Sequence, residues 1–200
     1  AESVPRKVTY VTSNAGPNSG HVSFFGREEI TLMQLPTFPV HAMKMGLPCN
    51  IFLNAGAIID PKRLEQEIRD HMPEGLVHLS PWAAVTSEED KNQEAESLTE
   101  RLGSTGKGTG AALTRKVMRE EGAIARDYYS DRVPANIKLA ESTSRIHSNY
   151  VGLVEVSQGH SLGLNQGFYP YCTSRDCGVS QALNDAGCHP SSYRDSMMVF

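Results

Sequence analysis

The chain has 200 residues, enough for one domain or for one domain with a small appendage. Its net charge of −4 and its pI near 6.0 argue against a nucleic-acid-binding protein, which normally carries a basic stripe. The sequence has no run of 18 apolar residues and no secretory leader pattern, so we expect neither a membrane span nor export.

The four cysteines do not suggest a metal site. Cys49, Cys172, Cys177 and Cys188 form no Cys-x-x-Cys pair, and structural zinc sites usually present closely spaced pairs. A zinc site assembled from the last three and His189 is therefore a weak alternative. Free thiols in a reducing compartment are the expectation.

The first sixty residues predict short strands separated by turns. Between the first two strands lies a loop rich in Asn, Gly and Pro, residues 14–21, which ends in His21. Such a loop lets the backbone approach a ligand closely and presents an imidazole to it. Taken alone, such a histidine is more often a surface or core residue than a functional one. The predicted strands are Val8–Val11, His21–Phe25, Ile30–Gln34 and Ile51–Leu53.

A helix is predicted from Lys62 to His71. Asp60 suits its N-cap, and Pro61 suits the first helical position. A strand follows at Val77–Leu79. The acidic stretch 86–94 then predicts the start of a helix, with its acids near the positive end of the dipole, or alternatively a mobile hinge.

A glycine-rich loop, Gly103–Gly110, leads into a predicted helix at residues 111–121. Glycines let successive N–H groups converge on one anion, and a helix start adds positive charge. The ATPase phosphate-loop pattern fails, because Arg101 stands at its first glycine position and Gly108 follows Lys107. We interpret the loop as a cradle for a monophosphate, with a flexible loop as the alternative.

The strand predicted at Val151–Val156 runs into Gln158-Gly159. Ligands bind at the carboxyl ends of strands in open α/β sheets, and a carboxamide can both donate to and accept from a base edge. The loop Tyr169–Asp176 then supplies two hydroxyls and an Arg175-Asp176 pair suited to an anion or a sugar, or forming only an ion pair. The combination favours a nucleotide pocket.

The remaining pattern predicts helices at 136–144 and 179–185, the second ending at Gly187, and a terminal core strand at Met197–Phe200. Strands alternating with helices favour an α/β fold with a mixed, largely parallel central sheet flanked by helices.

Taken in order, these segments resemble the adenylosuccinate synthetase family. The compact spacing and the Thr-Ser-Arg-Asp sequence are most similar to its archaeal and phage branch, which includes a phage enzyme that joins aspartate to dGMP. The matching segments are Asn18–His21, Gln34–His41, Asn54–Pro61, Gly103–Gly110 and Val154–Asp176.

The resemblance implies a fold related to the phosphate-loop NTPases. It identifies residues 1–200 as the central part of one family domain. The family's N-terminal phosphate loop and its C-terminal aspartate-binding and triphosphate-binding region have no counterpart in these residues.

The resemblance also implies a reaction. A nucleoside triphosphate, GTP or ATP, phosphorylates O6 of a purine monophosphate, IMP or dGMP, with Mg²⁺, and the amine of aspartate displaces that phosphate. By motif match, Gly20 would bind Mg²⁺ through its carbonyl and His21 would stabilise the moving phosphoryl group. Gln158 would contact purine N1 and O6.

Binding roles follow from the same match. Arg119 would reach the nucleotide site of a neighbouring subunit, which implies a homodimer. The implied partners are small molecules, without nucleic acid or membrane, in the cytoplasm (of the host if a phage encodes the chain). The residues that would hold the 5′-monophosphate are Asn18, Ser104, Thr105 and Thr173.

The departures from the family leave one alternative open. Because the phosphate loop and the later region have no counterpart here, the chain is alternatively a truncated, non-catalytic homologue that binds a nucleotide or a partner protein.

Overall fold

The computed structural model describes residues 8–47, 49–141 and 151–197. Its strands are β1 (Val8–Ser13), β2 (His21–Phe25), β3 (Glu28–Leu32), β4 (Asn50–Leu53), β5 (Ile58–Ile59), β6 (Val77–Leu79), β7 (Ala84–Val85), β8 (Ile137–Leu139) and β9 (Val151–Glu155). Its helices are α1 (Thr37–Lys44), α2 (Pro61–His71), α3 (Glu88–Glu94), α4 (Glu100–Leu102), α5 (Thr109–Met118), α6 (Ala125–Tyr128) and α7 (Val179–Asp185). A π-helical turn, Ala95–Thr99, joins α3 to α4, and 3₁₀ turns lie at His160–Leu162 and Pro190–Ser192.

Five parallel strands form the central sheet in the order β8-β6-β4-β1-β9. An antiparallel hairpin, β2-β3, and a short parallel pair, β5-β7, lie beside it. The predicted α/β class with a largely parallel sheet is confirmed. No helix in the described ranges is both long enough and apolar enough to cross a membrane.

The core surrounds β4 and β6. Ile51, Phe52 and Leu53 are all buried, which is typical of a parallel strand covered on both faces. Leu64 and Ile68 of α2 pack into the same cluster.

Two helix starts confirm their local sequence signals. The Asp60 carboxylate accepts the Arg63 N–H at 3.2 Å, with Pro61 as the first residue of α2. Ser87 and Asp90 form a reciprocal capping box at α3. The stretch 86–94 therefore contains a helix start, and the hinge alternative is wrong.

The helix predicted at 136–144 is wrong where the structure describes it. Ile137–Leu139 is instead the edge strand β8, paired with β6, and residues 142–150 lie outside the described part. The Ala140 N–H extends this pairing by donating to the Leu79 carbonyl at 2.9 Å. Pairing at the sheet edge thus overrides the local helical preference.

Several other predicted elements differ from those in the structure. The strand predicted at 30–34 is β3, which ends at Leu32. The helix predicted at 111–121 is α5, which ends at Met118. The terminal strand is not seen at Met197, which is exposed, and its other residues lie outside the described ranges.

Helix α1 was not predicted at all, because its capping group is remote in sequence. The Glu155 carboxylate accepts the Thr37 N–H at 2.7 Å and the Phe38 N–H at 3.3 Å, although it lies more than a hundred residues along the chain. An anion at a helix start is stabilising. The local sequence, which includes Pro39, contains no comparable signal.

The end of β3 is fixed by another carboxylate, that of buried Glu67. Glu67 accepts the N–H groups of Met33, Gln34 and Leu35 at 2.8–3.0 Å, and Arg63 Nε donates to it at 2.7 Å. This carboxylate therefore replaces the backbone partners that the chain loses where β3 ends.

We predict that Glu67→Leu destabilises the protein by about 3 kcal/mol or more, because it leaves three backbone N–H groups without an acceptor. The measurement is urea unfolding followed by circular dichroism. The control is Glu65→Leu on the same helix, which should change the unfolding free energy by only about 0.5 kcal/mol. Equal effects of the two substitutions would contradict the assigned role of Glu67.

Candidate active site

The carboxyl ends of β1, β4 and β9 lie side by side at one edge of the sheet. Ser13 is paired with Leu53 on one side and with Glu155 on the other. Three loops therefore leave this edge together: 14–20, 54–57 and 156–159. In open α/β sheets, this edge is where ligands bind.

Asn54 fixes the first two loops to each other. Its side-chain amide donates to Thr12 Oγ1 at 3.1 Å, and its backbone N–H donates to the Ser13 carbonyl at 3.0 Å. Asn54 and Thr12 are both buried. The backbone carrying the loop 14–20 is thus held by bonds that are shielded from water.

The loop after β1 also meets the loop that precedes α7. Asn18 Nδ2 donates to Thr173 Oγ1 at 3.2 Å, joining residues that are 155 positions apart. Both were predicted to hold the 5′-monophosphate. The side-chain oxygen of Asn18, Oδ1, is buried and has no hydrogen-bond partner in the described structure.

The alternative interpretation of Arg175-Asp176 as a structural ion pair is wrong. Arg175 Nη1 donates to the Gly56 carbonyl at 2.7 Å. Asp176 instead accepts the side-chain amide of Asn165 at 2.8 Å and the backbone N–H of Asn165 at 3.0 Å. Both bonds lower the pKa of Asp176, and the bond from the Asn165 side chain has the larger effect.

Gln158 lies at the carboxyl end of β9, as predicted, with φ of 107°. A positive φ is unusual for a residue with a side chain, and such conformations concentrate at functional sites. Its side-chain oxygen lies 3.7 Å from the Cys177 thiol, whose pKa is raised by burial. The narrow crevice at this point is lined by Asn14, Ser157, Gln158, Arg175, Cys177 and Gly178, among others.

The glycine-rich loop already binds a carboxylate of its own chain. Buried Glu94 accepts the N–H groups of Gly108 at 2.7 Å, Gly110 at 2.5 Å and Ala111 at 3.3 Å. These three N–H groups at the start of α5 therefore already have an acceptor, while the interpretation of the loop Gly103–Gly110 as a monophosphate cradle stays a prediction. The acidic stretch containing Glu94 predicts only a helix start or a hinge, so this role of Glu94 was not predicted.

The rest of the glycine loop remains open to solvent. Ser104 Oγ accepts the Gly106 N–H at 3.4 Å, while Thr105 and Lys107 are exposed. The structure gives no contact between this part of the loop and Asn18. The phosphate-binding roles of Ser104 and Thr105 therefore stay predictions.

The segment 173–177 connects the glycine loop to Gln158. Ser174 packs on Gly110 so closely that a Cβ placed there would lie 2.8 Å from Ser174 Oγ. Three residues further on, Cys177 contacts Gln158. One short segment therefore touches both of the regions that were predicted to surround a purine nucleotide.

His21 and Gly20 stand at the start of β2, with His21 half-buried and Gly20 exposed. Arg119 lies elsewhere, at the C-terminal end of α5, exposed and with φ of 61°. The structure thus separates Arg119 from the other predicted site residues of the same chain.

A group of charged side chains lies beneath the site. Asp185 accepts from Asn14 Nδ2 at 3.1 Å and from Gln181 Nε2 at 2.7 Å. Lys116 Nζ donates to the Ala55 carbonyl at 2.9 Å. Burial lowers the pKa of Lys116, and the charge of Asp185 opposes this effect. Neither charged residue was predicted from the sequence.

Comparisons with known proteins identify the family of the chain. The family model described as adenylosuccinate synthetase matches residues 5–149, well over half of the chain. The chain belongs to the adenylosuccinate synthetase family.

Similar proteins include phage and archaeal members. The N6-succino-2-amino-2'-deoxyadenylate synthase of Vibrio phage phiVC8 is 35% identical over 149 residues, which are 68% of this chain and 43% of the phage protein. The adenylosuccinate synthetase of Methanosphaera stadtmanae is 27% identical over 199 residues, covering 94% of this chain and 55% of the archaeal protein. The chain thus spans about half the length of the curated relatives that it matches.

A solved structure confirms the fold. The succinoaminodeoxyadenylate synthetase (PurZ) of cyanophage S-2L, bound to dGMP and dATP, superposes with a TM-score of 0.81 at 24% identity. The match covers 93% of this chain and 53% of the cyanophage chain.

We predict that Gly110→Ala loosens the junction between the glycine loop and segment 173–177, since the new methyl group would press on Ser174 Oγ. Overpacking of this kind costs about 1–3 kcal/mol. The measurement is thermal and urea unfolding.

The matched control is Gly152→Ala in β9, where the nearest side-chain atom to the added methyl group lies at 3.9 Å. This control should leave stability within about 1 kcal/mol of the parent chain. If Gly110→Ala leaves the free energy of unfolding unchanged, the contact between Gly110 and Ser174 is not tight.

Proposed function

We propose that the protein joins aspartate to a purine nucleoside 5′-monophosphate, IMP or dGMP, with GTP or ATP supplying the phosphoryl group. The observation that carries this proposal is the hydrogen bond between Asn18 and Thr173, beside the crevice at Gln158. It brings together two loops that have no sequence proximity and that both carry predicted nucleotide-binding residues.

The chemistry of this pair suits a phosphate. The Thr173 hydroxyl accepts from Asn18, so its own hydrogen is free to donate to a phosphate oxygen. The second N–H of the Asn18 amide is likewise a donor. Ser104 and Thr105 would add hydroxyl donors from the open part of the glycine loop.

Gln158 would read the base. Its carboxamide offers a donor and an acceptor at the sheet edge, which fits purine O6 and N1. Transfer of a phosphoryl group to O6 depends chiefly on positioning and on charge stabilisation. His21, at the start of β2, would stabilise the charge of the moving group.

The described residues fit a Mg²⁺ ion that is held mainly by the phosphates. They contain no cluster of three or more His, Cys, Asp or Glu side chains able to hold a metal. Mg²⁺ in phosphoryl-transfer sites commonly takes one or two protein oxygens plus phosphate and water oxygens. The Gly20 carbonyl would be such an oxygen, and the bound ion would neutralise phosphate charge.

A homodimer is part of the proposal. Arg119 is exposed at the far end of α5, next to Val117 and Met118, which are 69% and 67% exposed. An arginine beside an apolar patch is well suited to reach a phosphate across a subunit interface, since its planar fork donates two N–H bonds.

A cytoplasmic location accords with the four unpaired thiols.

Asn18→Ala and Thr173→Val should each weaken the binding of IMP, GMP or dGMP by about tenfold or more, since each removes a donor to a charged group. Isothermal titration measures this effect. Ser23→Ala, on β2 and hydrogen-bonded to His41, is the control and should bind normally. A parent chain that binds none of the three nucleotides at millimolar concentration would overturn the proposal.

Turnover separates a ligase from a protein that only binds nucleotide. Full-length protein supplied with aspartate, Mg²⁺, monophosphate and triphosphate should release the succino-nucleotide and inorganic phosphate together. Tight monophosphate binding without any product would favour the binding protein.

Cys177 offers a reporter of site occupancy. Because burial raises the pKa of Cys177, little of it is thiolate at pH 7, and its alkylation by iodoacetamide should accelerate as the pH rises. Bound monophosphate should slow this alkylation severalfold by covering Gln158 and its surroundings. Mass spectrometry of the alkylated peptide measures the rate.

Cys49 is the internal control. It precedes β4 at the opposite end of the sheet, and burial raises its pKa to about 11. Its alkylation should not respond to the nucleotide. Equal protection of both cysteines, or of neither, would place the ligand away from Gln158.

A further inference from the structure

The guanidinium of Arg175 is buried with only part of its hydrogen-bonding capacity used. Its Nη1 donates to the Gly56 carbonyl, while Nη2 is buried and has no hydrogen-bond partner in the described structure. Buried polar groups are nearly always paired, and an unpaired nitrogen on a cation is especially costly. The second edge of this guanidinium therefore lacks the group that would satisfy it.

The nearby carboxylates do not serve as that group. Asp176, the next residue, is bonded to Asn165. Asp185 is close enough for its charge to favour the charged form of Arg175, but its hydrogen bonds in the described structure come from Asn14 and Gln181. Burial lowers the pKa of Arg175 despite Asp185, which means that the cation is under-compensated.

The unpaired Nη2 of Arg175 lies near the side chain of Asn18. Arg175 Nη2 and the unpartnered Asn18 Oδ1 both lie within about 3.2 Å of the point where a Cβ on Gly16 would stand. Asn18 in turn bonds to Thr173. The guanidinium of Arg175, the side-chain amide of Asn18 and the hydroxyl of Thr173 therefore lie close together on two loops that are far apart in the sequence.

The geometry points to Arg175 as a same-subunit cation that binds the 5′-phosphate of the nucleotide through its free Nη2 edge. This inference rests on the proposed function and deepens it, because it assigns a charged phosphate contact to the chain that also carries Asn18 and Thr173. An oxyanion bound there would supply both the missing hydrogen bond and the missing negative charge.

A purely structural Arg175 would behave differently. In that case the guanidinium would serve only to tie segment 173–177 to Gly56, and its replacement would affect all ligands alike. The test therefore compares ligands that differ only in the phosphate: dGMP with deoxyguanosine, and IMP with inosine. Inorganic phosphate and aspartate are titrated separately, to distinguish a phosphate site from a carboxylate site.

We expect Arg175→Gln to lower the affinity for the monophosphates by about tenfold to hundredfold, and to change the affinity for the nucleosides by less than about twofold. Its monophosphate affinity should also depend less on salt, because one charged contact is gone. Arg175→Lys keeps the charge without the planar fork, and its affinity should be intermediate.

Arg126→Gln is the matched control. Arg126 is an exposed arginine that stacks over Trp82, and its replacement should leave both ligand classes unaffected. Thermal unfolding of each variant shows whether it folds. If Arg175→Gln does not fold, the monophosphate and nucleoside affinities of Arg175→Lys are compared with those of the parent chain instead.

Four results would overturn the inference. Monophosphate affinity unchanged in Arg175→Gln, or equal losses for monophosphates and nucleosides, would leave Arg175 a structural residue. Loss of aspartate binding alone would make it a carboxylate site. A parent chain that binds no monophosphate would overturn the proposed function itself, and with it the role of Arg175.

Discussion

The parallel pairing of β1 with both β4 and β9 is the constraint on which the rest of the site depends. It brings the ends of three strands to one edge, so that the loops after Ser13, Leu53 and Glu155 meet there. A shift of one residue in this pairing would turn every side chain of β1 to the opposite face. The buried bonds of Asn54 to Thr12 and Ser13 hold the strand ends in this register.

Three carboxylates, two of them buried, fix backbone segments around the sheet. Glu67 binds the turn after β3, Glu94 binds the start of α5, and Glu155 binds the start of α1. In each case the carboxylate comes from a distant segment and accepts several backbone N–H groups that have no carbonyl partner. One turn and two helix starts are thereby fixed by charge-assisted hydrogen bonds, which are stronger than neutral ones.

Features with local signals were predictable from the sequence, and features made by distant contacts were not. The start of α2 is predictable because its N-cap, Asp60, and its first residue, Pro61, are adjacent in the sequence. Strand β8 exists because β6 offers an edge, and α1 is capped from Glu155, so neither has a local signature. In the site, family motifs pointed to Asn18 and Thr173. No motif indicated that the Glu94 carboxylate would accept N–H groups at the start of α5. None indicated that Arg175 would bond to the Gly56 carbonyl and not to Asp176.

The internal anion at α5 has a consequence for ligand capture. Because Glu94 neutralises the helix start and holds the backbone of Gly108 and Gly110, this half of the glycine loop is preorganised before any nucleotide arrives. Ordering a backbone residue costs about 1–2 kcal/mol of conformational entropy. The open part around Ser104 and Thr105 extends from this fixed end, so fewer residues would have to be ordered when a ligand binds there.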